Sequence, residues 1–217
     1  MQTLKVTVRL RTSMVAPEQL FHLDALLGSL RVGQAMKELG EGINPRDHHY
    51  DIPVERFVSP SGEWVFKASA FKLDGQIHRS VWMQTGRVRL EEVARHRSEG
   101  WLNLRANKPI TAGGPFKTSL YHAALVSCDL LAYCVGDQAQ VQALLSECHQ
   151  IGGRRGVGMG QVDSITVEAV PADECDWQYR AMPVDAPGLG GSHSQAVSGI
   201  RAPYWDRRLH QQALLPI

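Results

Sequence analysis

Long apolar runs are missing from this sequence. No stretch reaches the roughly 18 residues that a membrane-spanning helix needs. The first residues, MQTLKVTVRLRT, alternate apolar and polar side chains, so no apolar signal-peptide centre is expected there. Cysteine is sparse, with four in 217 residues and no CxxC pair among them. That argues against a zinc ribbon, a thioredoxin-type site and a disulfide framework. Cys128, Cys134, Cys148 and Cys175 are expected to be reduced, mostly buried thiols of a cytoplasmic protein. A surplus of either charge is also missing, since 23 Lys+Arg face 22 Asp+Glu for a net +1. This excludes a uniformly basic nucleic-acid wrapper and an acidic solvating tail, but not a local basic face. Carboxylates with DxD or HExxH spacing are absent, so no metal and no cofactor is assigned.

What is present reads as alternating strands and helices. Leu4, Val6, Val8 and Leu10 alternate with Lys5, Thr7, Arg9 and Arg11, which predicts a half-buried strand with a basic polar face. Ala16-Pro17-Glu18 opens a helical pattern through Leu20, Leu23, Leu27 and Leu30, weakened by Gly28 and Gly33, with Gly40 as a stop. Residues 41–62 read as a loop. Residues 64–72 and 76–84 read as two strands joined by a turn at Asp74-Gly75. Residues 85–122 have no clean period. Seven bases and three acids fall between Arg79 and Lys108, a net +4. A buried strand is predicted over 123–135. Asp137 then caps a helix with Val141, Leu144, Leu145, Cys148 and Ile151 on one face. GGRRGVGMG follows, then a strand over 162–170 and a Pro/Gly-rich tail ending in YWDRRL.

With the basic stretch set aside, the order is βαββαβ. The expected fold is α+β: a ferredoxin-like domain over 1–170, with an antiparallel sheet and an inserted basic hairpin or loop at about 85–122. An extended C-terminal segment over 171–217 is expected to pack on the domain or on a partner.

The most specific feature is Gly152-Gly153-Arg154-Arg155-Gly156-Val157-Gly158-Met159-Gly160. It lacks the Lys-Ser/Thr of a P-loop. It also follows a helix and precedes a strand, the reverse of a dinucleotide fingerprint. Alternating glycines permit positive φ and close backbone approach. Arg154 and Arg155 add forked donors suited to phosphate. A tight connection with solvated arginines would have the same sequence.

The helix–GGRRGVGMG–strand arrangement resembles the C-terminal glycine-rich loop of the RAMP superfamily of CRISPR RNA-binding proteins. Val15-Ala16-Pro17-Glu18 with Phe21-His22-Leu23-Asp24-Ala25-Leu26-Leu27, and Pro203-Tyr204-Trp205, resemble segments of the Cas-five-type subunit of type IV CRISPR effectors, the third member of the Csf set. The resemblance spans most of the chain. It implies a non-catalytic subunit that binds the 5′ handle of the CRISPR RNA. Such a subunit caps a filament of backbone subunits and contacts the large subunit near entering target DNA, with target sequence read by base pairing.

RNA on such a scaffold needs phosphate donors and surfaces for splayed bases. The candidate donors are Arg154 and Arg155, on a loop shaped by Gly152, Gly153, Gly156, Gly158 and Gly160, together with Lys117, Arg87 and Arg89 from the segments before it. Lys117, Thr118, Ser119, Tyr121 and His122 mix a cation, hydroxyls and rings in a candidate backbone clamp. Trp205, Arg207 and Arg208 are candidates for a partner interface. The alternative is a metal-independent endoribonuclease that processes CRISPR RNA with His22, or with His48 and His49, as general base or acid.

Overall fold

A computed structural model describes residues 1–39, 51–86, 90–100, 119–189 and 191–217, with backbone only at 39, 84–86, 90, 92 and 119–121. The chain is α+β with antiparallel sheets. Its elements are β1 (Gln2–Leu10), β2 (Met14–Val15), α1 (Leu23–Leu39), β3 (Arg56–Val58), β4 (Trp64–Phe66), β5 (Lys72–Gly86) and α2 (Leu90–Ser98). Then come β6 (Ser119–Gly136), α3 (Gln138–Leu145), β7 (Val162–Ala169), β8 (Met182–Pro183), β9 (His193–Gly199) and β10 (His210–Pro216). The chain divides into two compact units, one of residues 1–78 and 126–217, the other of 79–125.

In the first unit β1 lies between β6 and β7, antiparallel to both. The alternation read in the sequence sets the register. Leu4, Val6 and Val8 oppose Cys134, Ala132 and Leu130 on one side, and Ala169, Val167 and Ile165 on the other. Leu23, Leu26 and Leu27 of α1 join the same core as Val141, Leu144 and Leu145 of α3. Full burial of each such side chain contributes about 1.5–3 kcal/mol. The alternate face of β1 stays polar, and Arg9 pairs with Asp129 at 3.6 Å. β2 and β5 also pair with β6.

Five local expectations are corrected. Helix α1 starts at Leu23, not near Pro17, because residues 21–23 run beside 69–71: Phe71 N–H donates to Phe21 O at 2.8 Å and Leu23 N–H to Ser69 O at 3.0 Å. It then continues past Gly28 and Gly33 to Leu39. Part of the expected loop is a β3–β4 hairpin, with Arg56 opposite Phe66 and Val58 opposite Trp64. Asp74-Gly75 makes no turn, since β5 runs through both, with Gly75 at φ +70°; pairing along the long β6 overrides the local turn signal. Helix α3 has its predicted cap, with Asp137 Oδ1 accepting from Gln140 N–H at 2.9 Å, but ends at Leu145. Cys148 and Ile151 remain buried because the chain folds back, with Ile151 N–H donating to Gly160 O at 2.8 Å.

A second core lies among β3, β4 and the C-terminal segment. Val65, Ala181, Met182, Ala186, Leu189, Ile200 and Ala213 are its buried members, with Phe57 and Trp177 packed against them. Here β10 lies between β8 and β9. The second unit holds the distal part of β5, α2 and the start of β6. Residues 90–98 of the stretch without clean period are therefore helical. Val93 is buried, and the last turn carries Arg95, His96 and Arg97. All four cysteines are free thiols, three of them buried; burial pushes Cys134 up to about 12.

Candidate nucleic-acid interface

The glycine-rich loop is built on a rigid base and ends in an exposed tip. At the base, Gly160 donates its N–H to Ser13 O at 3.0 Å. Its φ is +65°, and a Cβ there would sit 1.8 Å from Ile151 O, so only glycine fits. Thr12 Oγ1 donates to Gly158 O and accepts from Gln161 N–H, both at 2.9 Å. These bonds fasten the loop to the link between β1 and β2. At the tip, residues 155–157 form one 3-10 turn between two left-handed residues, Arg154 (φ +59°) and Gly158 (φ +84°). A non-glycine side chain in that region is uncommon. Gly153, Arg154, Arg155 and Gly156 are solvent-exposed.

Beside the tip lies a groove of about 390 Å³. One wall is Met14–Phe21, apolar through Val15, Pro17, Leu20 and Phe21; the other is the backbone of Gly152 and Gly153. Phe21 is held in place by stacking on Phe71, with centroids 5.0 Å apart. Exposed guanidiniums next to an apolar slot can hold a phosphate beside an unstacked ring.

The other predicted residues divide between regions. Arg87, Arg89, Lys117, Thr118, His48 and His49 lie outside the described residues. Ser119 and Tyr121 belong to the start of β6, and His122 is exposed on the same strand. These three lie in the second unit and the glycine loop in the first. Trp205 is 61% exposed. Arg208 directs Nε and Nη2 at the Asp206 carboxylate, the Nε contact being 2.9 Å, so its charge is engaged within the tail.

His22 is placed in the interior, 2% exposed. Its Nε2 accepts from Ala181 N–H at 3.3 Å, and its ring stacks on Tyr204 at 4.0 Å and 2°. Burial, then the nearby Arg180, holds its pKa well below the usual histidine range.

Sequence reasoning missed Arg180. It is fully buried. Nη2 reaches Asp24 Oδ2 at 3.2 Å, Ile200 O at 2.8 Å and Tyr204 OH at 2.6 Å. Nη1 donates to Ala68 O at 2.9 Å and to Phe66 O, and Nε to Ala181 O at 3.2 Å. Tyr204 OH in turn donates to Asp24, at 2.9 Å from Oδ2. Burial alone would lower the guanidinium pKa; Asp24 and Tyr204 outweigh it, and Arg180 is firmly charged. A signal did exist in the sequence. FHLD and PYW, the two segments that carried the finer resemblance, meet here through His22, Asp24 and Tyr204.

Among the described residues no group of three or more His, Cys, Asp or Glu side chains is placed to hold a metal ion. No helix among them is long and apolar enough to cross a membrane. No curated protein matches the chain. The family model described as CRISPR type IV associated protein Csf3 matches residues 2–216, nearly the whole sequence, and the chain belongs to that family.

Proposed function

We propose that this chain is a non-catalytic RNA-binding subunit of a type IV CRISPR ribonucleoprotein. It grips the 5′ handle of the CRISPR RNA with the loop at 152–160 and caps the backbone filament next to the large subunit, near target DNA. The observation that carries this reading is the exposed Arg154-Arg155 tip on its rigid base, next to the groove under Gly152 and Gly153. The proposed domain is ferredoxin-like. In support, β5 and β1 are both partners of β6, β7 lies beyond β1, and α1 and α3 share one core. No catalytic role is proposed for His22, whose Nε2 is engaged by backbone in the interior.

The test is retention of guide RNA by the assembled complex across a salt series. Arg154→Ala/Arg155→Ala is expected to weaken handle binding. It should also reduce the slope of log K against log salt by about 1.4, or about 0.7 for each lost single-strand phosphate contact. Unchanged retention and slope would remove the loop from the RNA site. Cleavage of repeat RNA by the purified chain in EDTA, abolished by His22→Gln, would replace the proposal with the nuclease reading.

A further inference from the structure

Glycine keeps the groove between Met14–Phe21 and the 152–153 backbone open. Gly152 has φ +83°, and a Cβ there would meet Met14 Cε at 3.3 Å. A Cβ at Gly153 would sit 3.8 Å from Val15 Cβ, so a longer side chain would extend along that wall. The wall is also held from behind, since Phe21 O accepts from Phe71 N–H at 2.8 Å under the stacked rings. At about 390 Å³ the groove falls in the range of small-ligand sites, about 300–1,000 Å³.

Glu18 and Gln19 line the same groove, and both are exposed. Neither side chain has a hydrogen-bond or ion-pair partner among the described residues. A glutamate carboxylate at neutral pH offers acceptors only, and a carboxamide adds two donors. An apolar wall, a polar edge and neighbouring guanidiniums match the parts of a nucleotide: an unstacked ring, its hydrogen-bonding edge and its phosphate. Glu18 repels a phosphate, so the anion belongs at the arginine tip and the base in the groove. The carboxylate then chooses among the bases. Guanine alone carries two adjacent N–H donors on its Watson–Crick edge, N1–H and N2–H, which one carboxylate accepts together. Adenine and cytosine set a ring-nitrogen acceptor beside the amino group, and uracil flanks its single N–H with two carbonyls. Each of these turns an acceptor toward the carboxylate. Guanine O6 lies on the same edge, within the chemistry of the Gln19 amide donor.

We propose that this groove takes one unstacked guanine of the bound RNA, with the Glu18 carboxylate accepting from N1–H and N2–H and the Gln19 amide donating to O6. The proposal rests on the RNA reading of the glycine-rich loop and adds to it which base sits beside the gripped phosphate.

Fluorescence anisotropy tests it with the full chain and short oligouridine RNAs carrying one central guanosine, inosine, adenosine or cytidine, or none. The guanosine RNA is expected to bind about 5- to 150-fold more tightly than the adenosine, cytidine and all-uridine RNAs, the range of a good bidentate base contact. Inosine, which lacks the N2 amine, should fall between. Glu18→Gln should bring all the RNAs to similar affinity. Gly153→Leu should do the same by filling the groove; Gly153 has no positive φ, so both variants should keep their melting temperature. Equal affinity of the wild-type chain for all the RNAs, lowered for all by Arg154→Ala/Arg155→Ala, overturns the guanine proposal and leaves the RNA reading standing. So does a guanosine preference that survives both groove variants, since the base would then be read elsewhere. The assembled complex gives a second readout, by zero-length ultraviolet cross-linking and digestion with trypsin and ribonucleases. A guanosine adduct is expected on the peptide 12–31, which runs from Arg11 to Arg31. Another nucleotide on that peptide, or RNA cross-links to the chain that leave it bare, overturns the proposal. No RNA cross-link to the chain in the complex, together with no affinity for any of the RNAs, overturns the RNA reading as well.

Discussion

Asp24→Asn provides a direct test of the buried cluster. Asparagine keeps the shape of the side chain and can still accept from Tyr204, but removes the one carboxylate paired with Arg180 at 3.2 Å. The guanidinium cannot move to water, because the side chains of Arg180 and Asp24 are 0% and 1% exposed. Nor can it discharge, since its pKa is already held above the ordinary value. Removing one partner of a buried pair costs about 3–5 kcal/mol, mostly as the uncompensated charge left behind. Domain stabilities are about 5–15 kcal/mol, so the loss is a large share of the total. Urea unfolding followed by tryptophan emission should show the midpoint fall with little change in slope. Arg180→Leu should be worse. Besides the ion pair, it leaves the carbonyls of Phe66, Ala68 and Ile200 without their donor, at about 1–3 kcal/mol for each one that finds no water. A loss below about 1 kcal/mol for Asp24→Asn would refute the reasoning, because it would mean the guanidinium is solvated or neutralised by other means.

Further predictions follow from the same geometry. His22 stays neutral in the fold while the unfolded chain takes up a proton below about pH 6.5. Stability is therefore complete above that pH and falls by up to about 1.4 kcal/mol per unit as pH drops, a contribution that His22→Gln should remove from a pH series of urea midpoints. Gly160→Ala should destabilise by on the order of 2 kcal/mol or more, since it combines a left-handed residue with a Cβ that meets backbone. Gly156→Ala, with nothing within 4 Å of the new Cβ, should leave the melting temperature nearly unchanged.

The parts of the fold legible in the sequence were those governed by a single period. Alternation over Leu4–Val8 and the helical spacing of Val141, Leu144 and Leu145 each encode burial directly, and the core follows them. What was not legible depended on partners far away in sequence. Nothing local in DGQIH says that a strand will run through Asp74-Gly75; the 18-residue β6 beside it does. The spacing at Pro17 looks like a helix start until the pairing of 21–23 with 69–71 claims those residues. The glycine loop was legible as a site because its composition is unusual. Its internal division was not, since it takes coordinates to tell Gly160, required by a backbone clash, from Gly156, which faces open space. Arg180 was the least visible of all. Its partners come from Asp24, Phe66, Ala68, Ile200 and Tyr204, and no window of sequence contains them together.

The near-zero net charge reads differently once its carriers are placed. Residues 163–185 hold six acids and one arginine, a net −5 that in sequence suggests an acidic surface. In the fold three of the six acids are engaged. Asp176 pairs with Lys72 at 2.6 Å, Asp185 accepts from Ser61 N–H at 2.6 Å, and Asp163 lies 3.9 Å from Arg11. Arg180 neutralises Asp24, from outside the segment. Glu168, Asp173 and Glu174 are exposed and make no such ion pair among the described residues. Among the basic residues, Arg154 and Arg155 stand on an exposed tip whose base is fixed by backbone bonds. An equal count of charges thus conceals an asymmetry: three of the six acids toward the tail are engaged by partners in the fold, while Arg154 and Arg155 stand exposed at a loop tip. Under the proposed function this asymmetry lets a chain with almost no net charge hold RNA at one place. Its long-range attraction to nucleic acid is weak, so affinity must come from short-range contacts at the loop.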